Sequence, residues 1–285
     1  MGDKQRTLKA SVKLTGVGLH TGEKVNIEIC PAPDNHGYKF QRVDLDGQPT
    51  INADADLVVS TERGTTLEQN GARVYTTEHV LAALYGMEVD NALIKIDNPE
   101  IPIMDGSAWP FVQAIESVGY EEQTSERNYF YLNEVIPWED TEKGIEILAV
   151  PDSNYRITVM VDYKSPVLGT QHASMYNIGE FKKEISTCKT FVFLRELETL
   201  ANLGLIKGGD LDNAIILVER ENVEQQELDR LATLLGKEGL KVDINGIGTL
   251  NNYKLKFENE PARHKLLDIV GDLALVGRPL KMHIL

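Results

Sequence analysis

Six histidines are spread along the chain (His20, His36, His79, His172, His264 and His283), and two of them keep company that suggests chemistry. The first lies in Thr76-Thr77-Glu78-His79. A threonine followed by an acid is an ordinary helix start, with Glu78 as a partner for the helix dipole. For this pair alone that plain reading is the favoured one; the other would put a carboxylate base beside a metal-ligating imidazole. The second lies in His264-Lys265-Leu266-Leu267-Asp268, followed by Asp272. Residues four apart on a helix drift by only about 40°, so His264, Asp268 and Asp272 form one polar stripe. Leu266, Leu267, Val270, Leu273 and Ala274 form the opposite face. A His and a carboxylate at i, i+4 can hold one metal ion. The plainer alternative is a solvated face with a His–Asp pair. Taken together, His79, His264 and Asp268 make a His₂-carboxylate set with Glu78 as its base. Three protein ligands leave a fourth position open for water, which is the catalytic zinc pattern. The same set suits iron(II). H-E-x-x-H is absent, so the zincin peptidase pattern does not apply.

These residues must be carried by elements far apart in the chain. Lys24–Ile29 alternates polar and apolar residues and predicts a half-buried strand, as does Asn91–Ile96. Between them, Thr77–Tyr85 predicts a helix with Gly86 at its C-terminus. A second helix is expected at Ala108–Val118, with Ser107 as its cap. The polar run Glu121–Asn128 reads as a linker between two halves of similar length. Beyond it, Ile145–Val150 and Tyr155–Val161 predict a hairpin around Pro151–Asn154. Helices are expected at Gly179–Ser186, Leu194–Leu203, the amphipathic Val223–Leu235 and Pro261–Val276. Ala214–Val218 predicts a buried strand. Asn259 would cap the last helix, and Gly277 with Pro279 would close it. The expected class is α+β: two layered domains of similar topology, residues 1–124 and 127–285, each a sheet packed on helices. A duplicated unit fits this style, although residue identity does not demonstrate it.

A family resemblance now becomes plain. The segments Val17-Gly18-Leu19-His20-Thr21-Gly22, Thr77-Glu78-His79 and Glu100–Ala108 are similar to those of the UDP-3-O-acyl-N-acetylglucosamine deacetylases of lipid A synthesis. So are Lys189-Thr190-Phe191, Gly208-Gly209, Arg263–Asp268 and Gly271-Asp272, all in the expected order. The resemblance implies a cleft between the domains and a committed step of lipid A (lipopolysaccharide) synthesis. His79, His264 and Asp268 would hold Zn2+, or Fe2+ in the cell, and Glu78 would take a proton from the attacking water. Thr190 would donate to the oxyanion, and Lys265 would meet the substrate's diphosphate. An apolar passage near Phe191 and Leu197 would accept the acyl chain.

Two departures from the family pattern stand out. Lys189 replaces the arginine usual before the Thr-Phe pair. The family's general acid, a His in a Gly-His pair beyond the strand that follows the metal helix, has no counterpart before Leu285. His283 stands too early and reads as a strand residue, which would leave Asp272 without the imidazole it should orient. The sequence-based expectation is a truncated chain whose C-terminal strand and tail are incomplete. It would bind zinc and nucleotide-sugar yet turn over poorly, since losing a general acid costs about 10²–10⁴-fold. The region Val223–Asn252 resembles the form of the enzyme fused to a 3-hydroxyacyl-acyl-carrier-protein dehydratase.

Composition narrows the remaining possibilities. The 285 residues include 29 basic and 44 acidic side chains, a net charge of −15 that argues against nucleic-acid partners. It also means that an anionic substrate must be recruited by local Lys or Arg. No apolar run approaches the ~18–20 residues of a membrane span, and the N-terminus has no leader-like apolar stretch, so a cytoplasmic protein is expected. Cys30 and Cys188 cannot build a disulfide framework or a Cys-type zinc site, and Cys188 reads as a buried structural thiol. Gly16-Val17-Gly18 with Gly22 has the wrong spacing for a phosphate loop and suits a tight hairpin. Asp105-Gly106-Ser107 suits a turn, and His36 and His172 suit turn and surface positions.

Overall fold

The computed structural model describes residues 3–220, 223–234, 248–250 and 253–285. Two large sheets dominate it. The first half forms a five-stranded sheet in the order Val12–Val17, Lys24–Pro31, Ala92–Ile96, Tyr38–Arg42, Thr50–Asn52. The second half forms a sheet in the order Ile136–Asp140, Ile145–Pro151, Leu280–Ile284, Tyr155–Asp162, Thr170–Met175. Phe130–Tyr131 also pairs with Leu280–Ile284. Along each path the pairings run antiparallel, antiparallel, parallel, antiparallel. In each, the middle strand arrives last in sequence and is delivered by a helix. The duplicated unit that residue identity leaves open is therefore visible in strand order, and the α+β class with two similar domains holds.

The delivering helices are α1 (Glu78–Gly86) and its counterpart near the C-terminus, Glu260–Leu273. Between them in the chain run α2 (Trp109–Val118), α3 (Leu194–Asn202) and α4 (Gln225–Leu234), so the last becomes α5. α1 is buried along its whole length, packed chiefly against α5 and also against α2. Leu266, Leu267 and Val270 of α5 are fully buried, as the apolar face of its 3.6-residue period requires. The two helices share one continuous core that runs from Leu8 to Ile284. A smaller core gathers Leu194 and Leu197 of α3 with Leu228 and Leu231 of α4. This supports the core-facing reading of the Val223–Leu235 helix, of which Leu235 lies outside the described residues.

Several expectations are corrected. Ile145–Pro151 and Tyr155–Asp162 are not a hairpin, because Leu280–Ile284 lies between them: Ile284 pairs with both Ala149 and Ile157. Strands on either side of a third lie about 10 Å apart, a gap that a link of three or four residues can span. The run Glu121–Asn128 is largely a strand, Tyr120–Glu126, paired antiparallel to Lys4–Leu8. Its polarity suits a two-stranded surface ribbon in which Arg6 faces Glu122 and Lys4 faces Glu126. In place of a helix at Gly179–Ser186 there is a 3₁₀ turn, Ile178–Glu180, followed by a π turn, Phe181–Ile185. Gly86 is the last helical residue of α1 and Met87 is its cap. Neither Thr77 nor Asn259 caps with its side chain. The Thr77 hydroxyl donates to the Thr65 carbonyl, and the Asn259 amide donates to the His172 carbonyl. Ser107 does not occupy the cap position of α2, which is Ala108, although its hydroxyl accepts from Trp109 N–H at 3.1 Å. Among the described residues no helix is long and apolar enough to cross a membrane.

Candidate active site

Helix pairing places the site. Gly271 of α5 has no side chain where the backbone of Glu78 approaches, and a Cβ there would run into the Glu78 carbonyl. That close approach puts the first turn of α1 against the polar stripe of α5. His79, His264 and Asp268 then meet: one ligand atom from each lies within 4.8 Å of the others. Asp268 Oδ1 is 3.4 Å from His264 Nε2 and 3.7 Å from His79 Nε2. Ligand atoms about 2.1 Å from a tetrahedral zinc ion sit about 3.4 Å apart, so the set fits one such ion. The stripe on α5 faces a cleft rather than open solvent, and His264 is only 2% exposed.

Hydrogen bonding prepares the ligands. His264 Nδ1 lies 3.0 Å from the Cys188 carbonyl. A carbonyl only accepts, so Nδ1 carries the proton and Nε2 keeps its lone pair for a cation. The His79 ring instead rests edge-on against His264, with centroids 5.1 Å apart. Burial holds His264 down to about 4, which keeps it neutral. Burial works against ionisation of Asp268, but His264, His79 and Lys265 around it keep it well below the usual carboxylate range. A neutral imidazole and an ionised carboxylate are the forms a metal takes.

Glu78 adjoins this set from the start of α1. Burial pushes its carboxyl up to about 7, with the His79 charge pulling the other way. Its Oε2 accepts from the Thr65 N–H at 2.9 Å. Asp272, one turn beyond Asp268, is raised by burial to about 6 and accepts from the Thr65 hydroxyl at 2.6 Å. Thr65 belongs to none of the segments that suggested the site. No pattern around it signals chemistry, and only the fold brings it between two carboxylates.

The remaining segments are stitched together by backbone contacts. Residues 18–23 turn tightly between antiparallel strands, as expected. The fully buried Glu100 carboxylate accepts from the N–H groups of His20 and Thr21, each at 2.8 Å. Gly208 N–H donates to the Leu19 carbonyl. Thr190 N–H donates to the Gly106 carbonyl at 2.8 Å, and Lys189 N–H donates to the buried Glu260 carboxylate. Asp105 accepts from both the N–H and the hydroxyl of Ser107, making the turn read from sequence. Cys188 is buried, with its thiol pushed by burial to about 12. His172 is exposed. His283 lies on the strand Leu280–Ile284, with Nε2 3.0 Å from the Thr158 hydroxyl, and does not line the cleft.

A cavity of about 1390 Å³ joins these parts. Glu78, His79, His264, Asp268, Asp272, Thr190 and Lys265 line one part of it. Phe191 and Leu197 line it together with Leu228 and Leu231, so an apolar passage leaves the polar cluster. Lys265 Nζ lies 3.5 Å from Asp268 and 5.7 Å from the centre of the Phe191 ring. Tyr163, which no sequence pattern marked, also lines the cavity, with its ring against Phe191 and a buried hydroxyl that has no hydrogen-bond partner among the described residues. The arrangement brings together a metal-fitting triad, a buried carboxyl group and a lysine beside an apolar stretch of cavity wall.

Comparison with known proteins gives the same direction. The family model described as LpxC, UDP-3-O-acyl N-acetylglycosamine deacetylase, matches residues 5–232 and 236–285. The chain is 48% identical over 282 residues to the bifunctional enzyme LpxC/FabZ of Bacteroides thetaiotaomicron, covering 99% of this chain and 60% of that protein. The protein of the same name from Chlorobaculum tepidum is also 48% identical, with the same coverage. The UDP-3-O-acyl-N-acetylglucosamine deacetylase of Myxococcus xanthus is 38% identical over 280 residues, covering 98% of this chain and 80% of that protein. The chain thus spans 60% of the length of the bifunctional relatives.

Proposed function

The chain belongs to the UDP-3-O-acyl N-acetylglycosamine deacetylase family, and from that premise we propose that it hydrolyses the acetamide of UDP-3-O-(3-hydroxyacyl)-N-acetylglucosamine, the committed step of lipid A biosynthesis. Its metal is zinc, held by His79, His264 and Asp268, with iron(II) as the alternative that the same donors accept. The observation that carries this reading is the meeting of those three ligand atoms within 4.8 Å beside the buried Glu78.

When bound, the metal supplies Lewis acidity at the carbonyl and at the attacking water. The chain's own groups do the rest. Glu78 takes the proton from that water, one oxygen being held by Thr65 while the other is left for the transfer. Thr190 donates its hydroxyl to the oxygen on which negative charge develops. Lys265 neutralises the diphosphate, which the net charge of −15 would otherwise repel. Phe191 and Leu197 receive the acyl chain and exclude water from the scissile amide. Asp272 would orient the imidazole to which the resemblance assigns protonation of the departing amine; His283, bonded to the Thr158 hydroxyl and outside the cavity lining, is not that group. The parent protein joins this activity to a dehydratase, as the names of the longer relatives suggest. The buried thiols Cys30 and Cys188 suit a reducing cytoplasm.

The test is metal content beside turnover. The purified chain is expected to hold about one zinc or iron, lost in both His79→Ala and His264→Ala, and to release acetate from the UDP-sugar. Absence of metal after zinc is supplied would overturn the reading. A chain that holds metal and binds the nucleotide-sugar without releasing acetate would support the impaired alternative.

A further inference from the structure

We propose that Thr65 is a positioning residue that locks Glu78 and Asp272, one from each half of the molecule, into a single working arrangement. The inference rests on the deacetylase reading above and extends it to a residue that no motif marks.

Thr65 uses every polar group it has on this junction. Its N–H donates to Glu78 Oε2 at 2.9 Å, and its hydroxyl donates to Asp272 Oδ1 at 2.6 Å. Its carbonyl accepts from the N–H of Thr77 at 3.3 Å and from the Thr77 hydroxyl at 3.2 Å, which ties it to the start of α1. The residue is 5% exposed, so these bonds face little competition from water. Its neighbour is shaped for the same purpose. Gly64 has φ +154, a conformation that side chains disfavour, and a Cβ there would sit 3.2 Å from Glu78 Oε1. A bulkier residue would crowd the oxygen that Thr65 leaves free. α1 and α5 alone bring the two carboxyl groups near each other. The bonds from Thr65 choose the rotamer of each, and a misplaced base or orienting carboxylate is costly because proton transfer depends on geometry first.

The test separates the hydroxyl from the packing. Thr65→Val keeps the shape and the N–H to Glu78 but removes the donor to Asp272, and Thr65→Ser keeps the donor. The expected result for Thr65→Val is unchanged metal content, little change in KM and a kcat lower by about 10–100-fold, as for other groups that support a metal site from outside it. Thr65→Ser should recover most of that loss. In an Asp272→Asn background, Thr65→Val should cost nothing further, because its effect passes through Asp272. Equal loss in the Val and Ser variants, or full additivity with Asp272→Asn, would overturn the proposal. Crystal structures of both variants give a readout that needs no turnover: the Asp272 carboxylate should leave its position in Thr65→Val and keep it in Thr65→Ser. An unmoved Asp272 in Thr65→Val overturns the proposal. Absence of acetate release from an unmutated chain that holds metal supports the impaired alternative and leaves the position of Asp272 in the two crystal structures to decide the role of Thr65; absence of metal counts against the deacetylase reading.

Discussion

Glu78 and Cys188 show how far burial sets the chemistry of single residues. Both are buried, Glu78 in the wall of the cleft, and both are pushed toward their neutral forms, Glu78 to about 7 and Cys188 to about 12. For Glu78 that shift suits the base of the proposed reaction. Glu78→Gln should retain its metal and lose about 10²–10⁴-fold in kcat; metal analysis beside an acetate-release assay checks both parts, and undiminished turnover would remove Glu78 from the mechanism. For Cys188 the shift means almost no thiolate at pH 8. An aromatic disulfide reagent should therefore label it only as fast as the fold opens, and prompt labelling of the native chain would contradict its burial. The metal-fitting residues were legible in the sequence because His and Asp at i, i+4, with a second His beside a Glu, are unusual side-chain choices. Thr65 was not legible, because a threonine in a turn has many ordinary uses and its partners lie 13 and 207 positions away.

The contact between α1 and α5 is where the elements make the site. Gly271 lets the two backbones approach, and a methyl group there meets the Glu78 backbone. In an isolated helix, Gly→Ala is favourable by about 0.8–1 kcal/mol. Here the overpacking term, about 1–3 kcal/mol, should outweigh it. Gly271→Ala is thus expected to lower the urea midpoint and weaken zinc binding together; a stabilised variant with normal metal affinity would show that the helices have room to spare. Helices α1 to α5 and the strands Lys24–Pro31, Ala92–Ile96 and Ile215–Val218 could be read from the sequence because each carries its own apolar pattern. The false hairpin at 145–161 had good turn chemistry and good strand patterns. What separated its arms was a strand more than a hundred residues later, which no local pattern announces.

Among the described residues one large core is shared by both halves, a smaller core lies under α3 and α4, and a third cluster gathers Leu168, Phe193, Ile215 and Leu217. Opening the smaller core exposes far less apolar surface, so it should open at lower free energy. Native-state hydrogen exchange should find amides of α3 and α4 less protected than those of α1 and α5, and equal protection would mean that the two cores open as one unit. The metal-fitting residues thus stand on elements of the larger core, while part of the apolar cavity lining comes from the smaller one. Residue order alone pointed to the α+β class and to most of the helices, and it offered His79, His264 and Asp268 as candidate metal donors, since these depend on composition and on patterns within a few turns of chain. Strand order, the ribbon at 120–126, the 4.8 Å cluster and the role of Thr65 came from packing, because each depends on which distant surfaces bury one another. Burying apolar surface is non-directional and blind to sequence distance, so the pairing of α1 with α5, and the site it assembles, exists only in the folded chain.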